Sequence, residues 1–340
     1  MSGVHWFDLQ VGGLAFEVGS DDAGLAAFVE EQTLGSWAAV GHRSEEAVQI
    51  RLLTGSVTDD TARRDTLMFG FGDNAILGSV ELGDPSVMVC PGMRLFCPVK
   101  REIELTIAPG RLTAFVALYR VISTLLRDWA LRLGGAELHA SAVSDGDQIV
   151  VFVGDKGAGK TSLCIDFVLS QKWSFVANDH VFLVPGQGAG VIALPETLRI
   201  GQGTLRQHPA LLHLAQRLGS MAGEDDKTRL HVCDVAPHLD APVVFSGKLA
   251  AVVTCGFRSG MPQGGVLTEG YLNAVELADC LTLAANYKQP QWLRSLDPPA
   301  PVARSSALDI EHVPAFDLRR AKGDTYAPLL LARSLKASLH

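Results

Sequence analysis

The sequence predicts an α/β chain of the mixed, α+β kind, with a β-rich front part ahead of a larger domain built on a mixed sheet. Three observations carry this. Short alternating apolar segments fill residues 1–108, a long amphipathic helix follows at Leu112–Leu133, and a strand, a glycine-rich loop and a helix run consecutively from Val150 to Leu169. At 340 residues the chain has length for roughly two domains of about 100–200 residues each, so the expected division is 1–108 and 109–340. The front part is a candidate for substrate recognition.

In the front part, Leu14–Val18, Val48–Leu53, Met68–Phe71, Val87–Cys90 and Ile103–Ile107 have strand length, the first two with clear period-two alternation. Ala23–Gln32 reads as a helix with Asp21 or Asp22 at its N-cap. From Leu112 onward, Phe115, Leu118, Tyr119, Ile122, Leu125, Leu126, Trp129 and Leu133 fall on one helical face, and Gly134-Gly135 supplies the stop. Leu138–Val143 and Gln148–Val153 then form two strands. The Ser144-Asp145-Gly146-Asp147 link between them signals an antiparallel hairpin. Further on, Thr204 is expected to cap a helix through Pro209 to Leu218, with Gln207 completing a capping box. Gly219–Lys227 reads as a loop, Leu249–Cys255 as a buried strand, Ala274–Tyr287 as a helix, Pro290–Pro301 as a connector and Tyr326–Leu339 as a closing helix.

Composition narrows the function classes. Lys and Arg number 29 against 37 Asp and Glu, for a net charge of -8. A protein that works on nucleic-acid phosphates normally carries a basic surplus, so that role is disfavoured as a global property. The six cysteines contain no C-x-x-C pair and no Cys/His cluster at zinc spacing, which fits buried free thiols in a reducing compartment. Met1–Asp8 lacks a basic segment followed by an apolar run, no apolar stretch reaches membrane-spanning length, and the mean hydropathy is +0.20. The expectation is a cytoplasmic protein without a membrane partner.

Gly154-Asp155-Lys156-Gly157-Ala158-Gly159-Lys160-Thr161 fits G-x-x-x-x-G-K-[ST] at every required position. Glycines let successive backbone N–H groups turn into one concavity, an anion nest. Lys160 would reach the β- and γ-phosphate oxygens, and the Thr161 hydroxyl would take one Mg²⁺ position. The helix from Thr161 through Ser162 and beyond places its positive end at the same phosphates. Binding residues are therefore expected at Gly154, Asp155, Lys156, Gly157, Ala158, Gly159, Lys160, Thr161 and Ser162. Phe175-Val176-Ala177 reads as the next strand, with Asn178-Asp179 at its C-terminal end, nineteen residues after Lys160. In a right-handed crossover that end lies beside the loop. Asp179 can there hold Mg²⁺ or accept a proton from an attacking hydroxyl. His139 alternates away from Leu138 and Ala140, and His180 away from Asp179.

With these residues in view, Glu137 to about Val184 resembles the HPr kinase/phosphorylase family, a P-loop kinase family related in fold to the ATP-dependent phosphoenolpyruvate carboxykinases. The residues that carry the resemblance are Leu138-His139-Ala140-Ser141-Ala142, the hairpin, the loop, and Val176-Ala177-Asn178-Asp179. The family places a histidine on the strand before the hairpin, which marks His139, fifteen residues before Gly154. It carries an Asp-Asp pair after the loop helix. Asp179 matches the second member and Asn178 replaces the first, so one carboxylate is missing. Leu198-Arg199-Ile200-Gly201-Gln202-Gly203 is a weaker echo of the family's Arg-Gly segment. It makes Arg199 a candidate for neutralising the transferred phosphoryl group, with Arg258 behind it.

The resemblance implies a kinase using ATP and Mg²⁺, with Lys160, Asp179, His139 and Arg199 as catalytic candidates and Thr161 and Asp179 as metal ligands. The acceptor would be a hydroxyl, either a Ser of a peptide or protein or a small metabolite. The alternative is a non-catalytic ATP-binding regulatory or assembly module, which the missing carboxylate favours. There is no Asn-Lys-x-Asp guanine motif, so ATP is the default nucleotide. Family members form hexamers, so the resemblance also allows a homo-oligomer, for which the residues themselves supply no argument.

Overall fold

The structure, a computed structural model, describes residues 3–34, 39–40, 46–55, 64–69, 76–81, 87–90, 93–109, 111–186, 189–194, 198–218, 227–230, 232–235, 238, 242–271, 296, 308 and 310–339. The expected helix at Ala274–Tyr287, nearly all of the Gly219–Lys227 loop and, apart from Leu296, the connector Pro290–Pro301 lie outside these residues. Two compact units emerge, Met1–Trp129 with Asn286–Val302, and Ala130–Ala285 with Ala303–His340.

The first unit holds β1 (His5–Val11), β2 (Leu14–Ser20), α1 (Ala23–Thr33), β3 (Ala39–Val40), β4 (Val48–Thr54), β5 (Arg64–Phe69), β6 (Ile76–Glu81), β7 (Val87–Cys90), β8 (Met93–Phe96) and β9 (Glu102–Ile107). They form one mixed sheet in the order β3-β1-β2-β4-β9-β8-β7-β6-β5. Asp22 caps α1, its Oδ1 accepting from the N–H groups of Gly24 and Leu25 at 2.9 and 3.1 Å. The later segment takes part in this unit through Leu296, whose carbonyl accepts from Arg101 N–H at 2.8 Å. Helix α2 (Arg111–Arg132) ends at Gly134, whose φ of 81° and N–H bond to Leu131 O make the stop read from Gly134-Gly135.

The second unit contains β10 (Ala136–Asp145), β11 (Gln148–Val153), α3 (Lys160–Gln171), β12 (Ser174–Val184), β13 (Gly190–Ala193), β14 (Leu198–Gly201), α4 (Gln202–Gln207), α5 (Pro209–Arg217), β15 (Lys227–Leu230), α6 (Val232–Val235), β16 (Ser246–Phe257), β17 (Val266–Tyr271), β18 (Pro314–Arg320) and α7 (Ala327–Leu339). The main sheet runs β11-β10-β12-β13-β16-β18-β17, and β11 also pairs with β16, so five strands close on themselves. Its inward face is tight and rich in small residues, with Ala136, Ala140, Ala142, Ala177 and Ala193 among Leu138, Val151, Val153 and Val181. Its outward face carries Val143, Val150, Phe152, Phe175 and Val253, packed against Leu163 and Phe167 of α3 and Leu331 of α7.

β10 and β11 form the expected antiparallel hairpin, with Asp145 opposite Gln148. The turn residues proper are Gly146-Asp147, with Gly146 at φ 69°. β11, α3 and β12 form a crossover in which β11 and β12 run the same way with β10 between them. One expectation is corrected here. Asn178-Asp179 does not end a short strand, because β12 runs unbroken from Ser174 to Val184. A second correction concerns Thr204, which lies inside α4 and caps nothing beyond Pro209. Pro209 stands at the first turn of a separate helix, α5, where its missing N–H is harmless.

A bulge in β12 decides which side chains face α3. Ala142 pairs with Ala177 and Val143 with Phe175, leaving Val176 as the extra residue. Val176 and Ala177 both turn inward, while Phe175 turns outward. The parity of the strand is thereby reset. Asn178, opposite Ser141, shares the α3 face, and Asp179 stands opposite Ala140 at the rim, its carboxylate 4.0 Å from His139 Nδ1.

Phe167 is fully buried, with its ring 5.4 Å from Phe152 and 5.0 Å edge-on from Trp173. Phe167→Ala is expected to lower unfolding free energy by about 3–5 kcal/mol in denaturant titration.

Candidate functional site

The site begins where β11 ends. Val153 pairs in parallel with Thr254, and Gly154 turns out of the sheet at φ 135°. A Cβ at Gly154 would sit 2.6 Å from Cys255 O, so the strand-to-loop exit admits only glycine. Gly157 and Gly159 also take positive φ, 86° and 94°, and Asp155, Lys156 and Gly157 are exposed. Ala158 N–H donates to Asp155 O at 3.0 Å and Leu163 N–H to Gly159 O at 2.9 Å, closing the loop onto the first turn of α3. The result is an exposed glycine-rich turn leading into a helix N-terminus, a setting that suits an anion.

Lys160, the first residue of α3, is only 8% exposed. Its Nζ donates to Gly154 O at 2.6 Å and to Asp155 O at 3.1 Å, arching over the loop. Burial lowers its pKa from the ordinary value, while Cys255, Asp179 and Asp155 act the other way and Lys227 adds to the lowering. A dianionic phosphate would relieve that desolvation directly. The Thr161 side chain is half-buried at the same helix end, and Ser162 Oγ lies 2.6 Å from Thr204 Oγ1.

His139 and Asp179 stand together at the rim. His139 Nδ1 lies 3.2 Å from the Asp179 carbonyl and 4.0 Å from its Oδ1. A carbonyl only accepts, so this bond places the proton on Nδ1 and leaves the Nε2 lone pair to act as a base. Burial lowers the His139 pKa below its ordinary 6.5, helped by the positive charge of Lys160 and opposed by Asp179. His180, directly across from His139, is held by buried Glu137, its Nδ1 being 2.8 Å from Oε1. Asn178 is 2% exposed on the α3 side, with Ser141 Oγ donating to its Oδ1 at 3.4 Å. Its Nδ2 is buried with no hydrogen-bond partner among the described residues. That orphaned donor is matched to an oxygen ligand and not to a cation.

The fold thus sets Lys160, with Thr161 beside it in the first turn of α3, near enough to His139 and Asp179 for their charges to interact. Arg199 stands on the two-stranded β14–β15 sheet opposite Arg229, the same small sheet whose Lys227 lies near enough to Lys160 to lower its pKa. The arginine beside the loop is Arg320 of β18, which sequence reading did not single out. Its Nη2 is 3.5 Å from Gly159 O, and its Nη1 is 3.4 Å from Asp166 Oδ2. No spacing signal marks it, because 161 residues separate it from Gly159. Arg258 is exposed, and its N–H donates to Arg320 O at 3.0 Å. Cys97, Cys164 and Cys255 are buried free thiols, and burial pushes Cys97 and Cys255 up to about 12, so neither is a nucleophile. Among the described residues no group of three His, Cys, Asp or Glu side chains could hold a metal ion, and no helix is long and apolar enough to cross a membrane.

His139 is expected to titrate below 6.5 by NMR, and Lys160→Met to raise that value by removing a neighbouring cation. Because the folded value lies below the unfolded one, the unfolded chain binds the proton first. The stability linked to His139 is therefore complete above about 6.5 and is lost as pH falls through the folded value.

No family model and no curated protein matches this chain. Among solved structures it is similar to the HPr(Ser) kinase/phosphatase from Coxiella burnetii, at 12% identity over 59% of this chain and 88% of that chain, with a TM-score of 0.32. At that identity and score no feature of the site is carried over from it.

Proposed function

We propose that this chain is a kinase of the HPr kinase-like type, moving the γ-phosphoryl group of ATP to a hydroxyl of a peptide, a protein or a small metabolite. The observation that carries the reading is the buried Lys160 arched over an open loop whose three glycines take positive φ. Loop amides and Lys160 would hold the triphosphate. Mg²⁺, held by Thr161, Asp179, phosphate oxygens and water, would supply charge neutralisation. The acceptor oxygen forms a bond to the γ-phosphorus as the bond to the β–γ bridging oxygen breaks, and ADP departs. The acceptor's proton passes to the Asp179 carboxylate, beside which His139 stays neutral at pH 7.

A second reading, an ATP-binding module without transfer, is favoured by Asn178. The residue on the α3 face is an amide, and the nearby carboxylate of Asp179 sits at the rim. Purified protein incubated with Mg²⁺ and γ-labelled ATP, against hydroxyl-bearing peptides and metabolites, separates the two. Lys160→Ala is expected to weaken ATP binding about tenfold or more, and Asp179→Asn to slow transfer by about 10²–10⁴ while ATP still binds. Transfer at the parent rate by Asp179→Asn would remove the base assignment, and unchanged binding by Lys160→Ala would remove the nucleotide reading.

A further inference from the structure

Arg320 ends β18 directly opposite Phe257, the last residue of β16, and its guanidinium lies 5.4 Å from that ring's centroid. It is 4% exposed, an unusual place for a cation unless something holds it. Asp166, one face of α3 farther along, provides one partner at 3.4 Å, and the same carboxylate lies 3.0 Å from His208 Nε2 at the junction of α4 and α5. The remaining contact is the Gly159 carbonyl at 3.5 Å.

We infer that Arg320 is a positioning residue that aims the loop's amides, an inference that rests on the phosphate-binding reading of Gly154–Thr161. In a trans peptide the C=O and the following N–H point to opposite sides. The Gly159 carbonyl already accepts from Leu163 N–H at 2.9 Å, the first helical bond of α3, and the guanidinium is its second donor at 3.5 Å. The two together hold the peptide with the Lys160 N–H on the side where the phosphates would lie. The guanidinium is pre-set for this by Asp166 below and the Phe257 face beside it, so little freedom is lost on binding. Gly159 fits the same device. A Cβ there would sit 2.6 Å from Phe257 Cζ and 3.3 Å from Arg320 Nη2, displacing both groups, and its φ of 94° already favours glycine.

The test is calorimetric binding of inorganic pyrophosphate to the full chain and its variants, together with the amide NMR signal of Lys160. Arg320→Met is expected to weaken binding about tenfold and to shift the Lys160 amide in the free protein. Arg320→Lys, which keeps one donor for Gly159 O, is expected to recover part of the affinity. A core variant in the sheet of the first unit, Leu9→Ala, is expected to lower the melting temperature with affinity unchanged. If Arg320→Met and Arg320→Lys bind as tightly as the parent while Lys160→Ala does not, the positioning role is overturned and the phosphate site stands. If Lys160→Ala also binds as the parent does, the phosphate site falls as well. Equal weakening by Leu9→Ala would reduce Arg320 to a stability effect and likewise overturn the role.

Discussion

The parallel pairing of β11 with β16 is the constraint on which the second unit depends. It closes five strands into a ring, and it fixes the point at which the chain leaves the sheet, since Val153 is the last residue to pair and Thr254 is its partner. Cys255 O then stands where a side chain on Gly154 would have to go. The loop turns away, and α3 begins with its N-terminus over the strand ends. Everything of chemical interest follows from that exit. Lys160 arches back over the loop, Arg320 approaches it from the neighbouring parallel strand, and the rim of β10 and β12 brings up His139 and Asp179.

The inner and outer faces of the ring separate structural from chemical roles. Inside, alanines and branched aliphatics pack against one another. Outside, toward α3, the aromatic layer of Phe152, Phe167 and Phe175 gives way at the rim to Ser141, Asn178, His139 and His180. Burial and the charge of Lys160 lower the His139 pKa, favouring a lone pair at the rim over a second positive charge. The only cations held tightly against the loop among the described residues are Lys160 and Arg320, one of them tied to Asp166. Positive charge at the loop is therefore local, set within a chain of net charge -8.

What could be read from the sequence was what is local. The hairpin through Gly146, the glycine loop, the α3 helix, the Gly134 stop and the Asp22 cap depend on residues within a few positions of one another, and each stands in the structure. The misses are non-local. The alternation from Phe175 would put Asp179 on the α3 face, and it is the bulge at Val176-Ala177, a consequence of pairing with Ala142, that gives that face to Asn178 instead. The pairing of β14 with β15, which sets Arg199 opposite Arg229, has no local signal either. Arg320, with no motif around it, reaches Gly159 only because β18 pairs with β16. Pro209, present in the sequence, divides α4 from α5 where a continuous capped helix was expected.

The central claim is that Gly154–Thr161 is a built receptor for a phosphate chain. Titrating the ¹⁵N-labelled full chain with MgATP and following backbone amides tests it most directly. The account predicts saturable shifts concentrated at Gly157, Gly159, Lys160 and Thr161, with smaller ones at His139 and Asp179. No shift at these amides, or saturable shifts confined to another part of the chain, would contradict it.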